Sequence, residues 1–125
     1  MAVQNAGIKQ NVGTNSGDFI VATYTSMANG DTGAPIGQHD FIDRVIQFSG
    51  TWGTGGTAVW EGSNDGVNYQ TLVDPNGNAI SLTANGMKQC AYTPVFSRPH
   101  MTGGDGTTAI VCTVSLRRFR SGEEK

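Results

Sequence analysis

The clearest pattern in the chain lies near its end. From Thr107 to Leu116 the apolar residues Ile110, Cys112, Val114 and Leu116 occupy every second position, the period of a strand that buries one face. Phe19–Thr25 is less one-sided: Phe19, Val21 and Thr23 share one face, and Ile20, Ala22 and Tyr24 the other. A strand covered on both sides is expected there. In Asp40–Ser49, Ile42, Ile46 and Phe48 point one way and Asp43, Val45 and Gln47 the other. Arg44 interrupts the inward set, so it should snorkel to water or pair with an acid. Shorter runs at Thr57–Glu61, Asn68–Val73, Ala79–Thr83, Met87–Tyr92 and Val95–Thr102 complete the strands. Pro94 and Pro99 should confine part of the last run to a sheet edge, because proline cannot donate to a ladder.

Between these runs the chain is punctuated by turn residues. Trp60-Glu61-Gly62-Ser63-Asn64-Asp65-Gly66-Val67-Asn68-Tyr69 reads as strand, tight polar turn and strand, since Asn and Asp tolerate left-handed backbone and Gly adopts it freely. Asp74-Pro75-Asn76-Gly77-Asn78, Asn85-Gly86 and Gly103-Gly104-Asp105-Gly106 mark further turns. Residues 26–37 read as a long loop, and Gly50–Gly56 as a Gly/Thr loop around Trp52. No helical period of useful length interrupts this. The pattern therefore predicts an all-β fold: a single, jelly-roll-like β-sandwich of about eight short antiparallel strands. Residues 18–118 form this domain. Residues 1–17, rich in Asn, Gln, Gly, Thr and Ser, form an extended N-terminal arm, and residues 119–125 a C-terminal tail.

Composition narrows the function more than the fold. Charged residues are 14% of the 125, well under the roughly one quarter usual for a soluble domain. Either the surface is polar but uncharged, or much of it is buried against partners. The net charge of −2 and the single basic cluster, Arg117-Arg118-Phe119-Arg120, argue against a nucleic-acid partner, which calls for clustered cations. Met1–Gln10 has one lysine and no apolar run, so neither a signal peptide nor a membrane anchor is expected. The two cysteines, Cys90 and Cys112, are too few for a disulfide framework and should act as small buried hydrophobes.

No residue set makes a convincing catalytic site. His39 and His100 have no nucleophile motif around them, and acyl-transfer chemistry needs a nucleophile beside an oriented base. Zinc would need closely spaced Cys/His pairs. Calcium could use Ser63-Asn64-Asp65, Asp74-Asn76-Asn78 or Asp105, but Gly77 is misplaced for an EF-hand and the terminal Glu is missing. Gly103-Gly104-Asp105-Gly106 leads into a strand, whereas a phosphate loop opens a helix. A non-enzymatic protein without cofactor or metal is expected. Exposed aromatics rimmed by Asn and Gln would suit a sugar, and Trp52 is the candidate platform.

The segment from Trp60 to Gly66, with Tyr69, Leu72 and the Asp74-Pro75-Asn76-Gly77 turn, resembles a module of tailed-bacteriophage virion proteins. Phe96-Ser97-Arg98-Pro99, Thr102-Gly103-Gly104-Asp105-Gly106 and the strand through Leu116 match the same pattern. The likeness spans roughly residues 40–118. It implies a small β-sandwich that serves as a capsid decoration (cement) protein or another head or tail structural protein, with no catalytic residues. The expected partners are the major capsid protein and further copies of this chain, as a homodimer or homotrimer. The expected location is the capsid exterior of a virion, after synthesis in the host cytoplasm. Candidate partner contacts are Asn5, Ile8 and Val12 in the arm, Trp52, and Arg117, Arg118 and Arg120. The alternative is a carbohydrate-binding or host-recognition module of a phage head or tail fibre.

Overall fold

The computed structural model describes residues 2–10, 19–37 and 41–118. These form eleven strands: β1 (Val3–Gln4), β2 (Gly7–Gln10), β3 (Phe19–Met27), β4 (Thr32–Gly33), β5 (Asp43–Thr51), β6 (Thr57–Ser63), β7 (Gln70–Thr71), β8 (Ser81–Leu82), β9 (Gly86–Cys90), β10 (Phe96–Gly103) and β11 (Ala109–Arg117). One sheet runs β1-β4-β10-β6-β7, with β8 also on β6; the other runs β2-β3-β11-β5-β9. The fold is the expected all-β sandwich. Its strand count exceeds eight because two-residue pairings and both N-terminal strands join the ladders. β1 and β4 pair in parallel; the other ladders are antiparallel.

The alternation in β11 places it at the centre of its sheet, where Val114 lies opposite Ala22 of β3 and Ile46 of β5. Ile110, Cys112, Val114 and Leu116 are fully buried, as are Tyr24, Phe48, Trp60, Ile80 and Met101 between the sheets. Burying a large apolar side chain contributes roughly 1.5–3 kcal/mol, whereas an exposed ion pair gives about 0–1 kcal/mol. The core therefore dominates stability in a chain this poor in charge.

Several local expectations are corrected. Strand β5 starts at Asp43, so Ile42 lies outside its inward phase and is 54% exposed, while Phe41 enters the core. Arg44 does not snorkel. It is 1% exposed, its Nε donating to the Phe41 carbonyl at 3.0 Å and its Nη1 to Ser97 Oγ at 2.7 Å.

Strand β10 is not an edge: it lies between β4 and β6, with Pro99 fully buried opposite Trp60. On the β4 side the neighbours of Pro99 are served, Ser97 N–H bonding Ile36 and Met101 N–H bonding Asp31. Beside the ring itself stands Gly33, where a Cβ would lie 2.5 Å from Pro99 Cδ. A glycine on the facing strand makes room for a residue that needs no ladder bond. The segment expected as a loop, residues 26–37, holds β4 and this contact.

Residues 2–10, expected within the arm, are edge strands on the chain's own sheets, β1 on one and β2 on the other. Cys90 and Cys112 are free and buried. Cys112 lies opposite Phe48 and Cys90 opposite Arg44. That places them two strands and four residues apart, on the order of 16 Å, too far for a disulfide.

Candidate functional site

The motif-bearing turn between β6 and β7 is built by one carboxylate. Asp65 Oδ1 accepts the N–H groups of Val67 and Asn68, each at 2.8 Å, and the Ser63 hydroxyl at 2.7 Å; Oδ2 accepts Asn68 Nδ2 at 2.9 Å. Led by the Asn68 N–H, these bonds hold the Asp65 carboxyl far below the usual carboxylate range. Gly66 has φ 79°, and a Cβ there would meet the Phe96 ring at 3.3 Å. The loop spans seven residues, from Ser63 to Tyr69, because the ladder closes at Gly62↔Gln70. The polar turn expected from the sequence is present, and the Asp65 cap organises it.

The same economy disposes of the other oxygen-rich loops. Asp74 Oδ1 accepts Asn76 N–H at 2.9 Å and Asn78 N–H at 3.0 Å, while Oδ2 meets Lys88 Nζ at 3.3 Å. Asp105 caps Thr54 and Thr107. All three loop carboxylates already accept hydrogen bonds, Asp105 from the neighbouring Thr54 loop as well as its own turn and Asp74 also from Lys88 on β9, and the described residues contain no His/Cys/Asp/Glu cluster that could hold a metal.

On the outward face of β6, Glu61 is only 7% exposed. Arg98 Nε donates to it at 2.6 Å, and the guanidinium lies 3.7 Å over the Tyr69 ring. His100 Nδ1 stands 3.1 Å from the other Glu61 oxygen. This is a closed polar cluster in which each charged group already meets its complement. His39 lies outside the described residues. Neither thiol is poised to react: burial pushes the Cys112 pKa far up, and burial also raises that of Cys90.

Beside the turn opens a cleft of about 570 Å³. It is lined by Gly62–Asn64, Asn68, Gln70 and Leu72 from the turn and its flanking strands, and by Tyr92, Thr93 and Pro94. A Cβ on Gly62 would fall 2.4 Å from Pro94 Cγ and 2.9 Å from Leu72 Cδ1, so the glycine permits close packing there. Tyr92 is 60% exposed, and Ile42 and Val95 are exposed nearby in sequence and fold. Sequence reasoning placed Tyr92 inside a strand and missed this site. Pro94, two residues on, was the available signal that β9 ends early.

The described contact candidates sit on different elements. Asn5 is exposed where the chain crosses from β1 to β2, and Ile8 is 41% exposed opposite Ala22. Trp52 is half-buried against the core with its indole N–H bonded to Asn85 Oδ1 at 2.8 Å. Arg117 pairs with Asp43, and Arg118 lies 5.2 Å from the Phe41 ring centre. Val12 and Arg120 lie outside the described residues.

The N-terminal segment has an anchor that the sequence did not announce. Buried Asp31 accepts Ala2 N–H at 2.9 Å, Gln4 Nε2 at 3.0 Å and Ala28 N–H at 2.9 Å. Burial alone would raise its pKa, but the donated bonds outweigh it and leave the carboxyl more acidic than usual.

Fold and site together define a two-sheet β-sandwich with a cleft of mixed polar and apolar lining beside the Ser63–Tyr69 turn. No protein-family model matches this chain, and no curated protein matches it in sequence. Among solved structures, the SPBc2 prophage-derived protein YomS is similar, with TM-score 0.59 and 9% identity over 78% of this chain and 93% of that one. That likeness is one of fold.

Proposed function

We propose that this chain is a non-enzymatic structural protein of a tailed-phage virion, a decoration or cement protein that binds the major capsid protein shell alongside further copies of itself. The observation that carries the reading is the sandwich shared with a prophage-derived protein across nearly all of that protein's length. The Trp60–Gly66 hairpin resemblance supports it independently of the backbone match. A protein that binds the mature shell and not its precursor lowers the mature state's free energy by mass action. Many weak contacts repeated by symmetry then give high avidity.

The N-terminal edge strands are the contact candidates this fold favours. Val3, Asn5, Ile8 and Lys9 are exposed along two sheet edges, and edge backbone can be extended by a neighbour's strand. Co-sedimentation of the purified protein with expanded capsid shells tests the reading, and saturable binding is expected. A chain lacking residues 2–15 should lose shell binding or self-association; unchanged behaviour in both would refute the role of the arm.

A further inference from the structure

We infer that the cleft between the Ser63–Tyr69 turn and Tyr92–Pro94 binds a neutral carbohydrate. Its polar groups are unspent in the way a sugar requires. Asn64 Oδ1 accepts the Val95 N–H at 3.1 Å, which leaves Nδ2 as a donor. Asn68 Nδ2 is held by Asp65, which leaves Oδ1 as an acceptor. The amide of Gln70 and the hydroxyl of Tyr92 bond no other group among the described residues. The cleft therefore offers both donors and acceptors, the combination that saccharide hydroxyls need.

No charged side chain lines the cleft. The Asp65 carboxylate beside it is turned into its own loop by four donors. A phosphate, a cation or an acidic peptide would find no countercharge there, whereas a neutral saccharide needs none. Tyr92 presents an apolar ring with a polar tip, suited to the C–H face of a pyranose. The volume of about 570 Å³ lies within the range of small-ligand sites.

Preorganisation favours the same ligand. The turn is fixed by Asp65 and the lining beside it by the contact of Gly62 with Pro94 and Leu72, so binding orders few groups and loses little entropy. Trp52, the aromatic that sequence alone favoured, lies on the other side of this comparison, half-buried and tied to Asn85. The inference stands apart from the virion reading, since either can fail while the other holds.

The test is a glycan array of neutral and acidic saccharides probed with the full-length protein, followed by NMR titration of the best neutral oligosaccharide. Expected is a neutral hit whose shifts fall on residues 62–72 and 92–95, with Tyr92→Ala weakening it about tenfold or more. The double variant Asn68→Ala/Gln70→Ala should weaken it likewise, while Met87→Ala, exposed on β9, should not. Silence across neutral glycans, preference for acidic ones, or binding that survives both cleft variants would overturn the inference.

Discussion

Arg44 and Ser97 join the two sheets through the buried interior, near the start of each of their strands. The guanidinium Nη1 of β5 donates to the hydroxyl of β10 at 2.7 Å, with the residues 1% and 0% exposed. A buried donor left without its acceptor costs about 1–3 kcal/mol. Ser97→Ala should therefore destabilise the domain by about that amount in urea unfolding. Arg44→Ala, which also leaves a void and an unmatched Phe41 carbonyl, should cost more. Equal stability of Ser97→Ala and the parent would mean the bond contributes nothing.

Arg44 also marks where reading the sequence fell short. The strand at Ala109–Arg117 was legible because strict alternation has one physical cause, a single buried face. The burial of Arg44 was not legible because alternation reports which side a residue faces, not what waits there; its acceptors include the Phe41 carbonyl and Ser97 on the opposite sheet. Pro99 was misread for the same reason. Its place in a central strand depends on Gly33, sixty-six positions away in the chain. The motif turn was visible as a turn, but the cleft beside it was not, since Tyr92 and Pro94 meet Gly62 only through the folded sheets.

Gly62 should resist even the smallest side chain. A methyl group at 2.4 Å from Pro94 Cγ and 2.9 Å from Leu72 Cδ1 forces that packing apart, and overpacking of this kind costs typically about 1–3 kcal/mol. Gly62→Ala is expected to lower the thermal midpoint, whereas Gly77→Ala meets no atom and tests only the φ of 85°. A larger loss at Gly77 than at Gly62 would contradict the packing explanation.

Acid should release the N-terminal strands. The Asp31 carboxyl is more acidic when folded than its ordinary value of 3.8, so its contribution is complete above that pH and disappears as pH falls through the lower folded value. Asp65, Asp74 and Asp105 shift the same way and add to the acid sensitivity. Stability should hold steady from neutral pH to about 4 and drop below it. Asp31→Asn should bring faster amide exchange at Ala2 and Ala28 already at neutral pH. Unchanged exchange there would show that Asp31 does not anchor the segment.

The thiols should be silent in the native protein. Both cysteines are buried, and burial raises both pKa values, so the thiolate needed for attack is scarce. Labelling by a disulfide reagent is expected only on the timescale of unfolding, at both sites together. Rapid labelling of Cys112 in folded protein would contradict its place at the centre of the sheet.

The central claim is that this sandwich is built into a virion. Quantitative mass spectrometry of purified source particles, counting this chain against the major capsid protein, tests that most directly. A copy ratio near one, or a simple fraction of it, is the expected result for a shell-covering protein. Its complete absence from the particles would contradict the account.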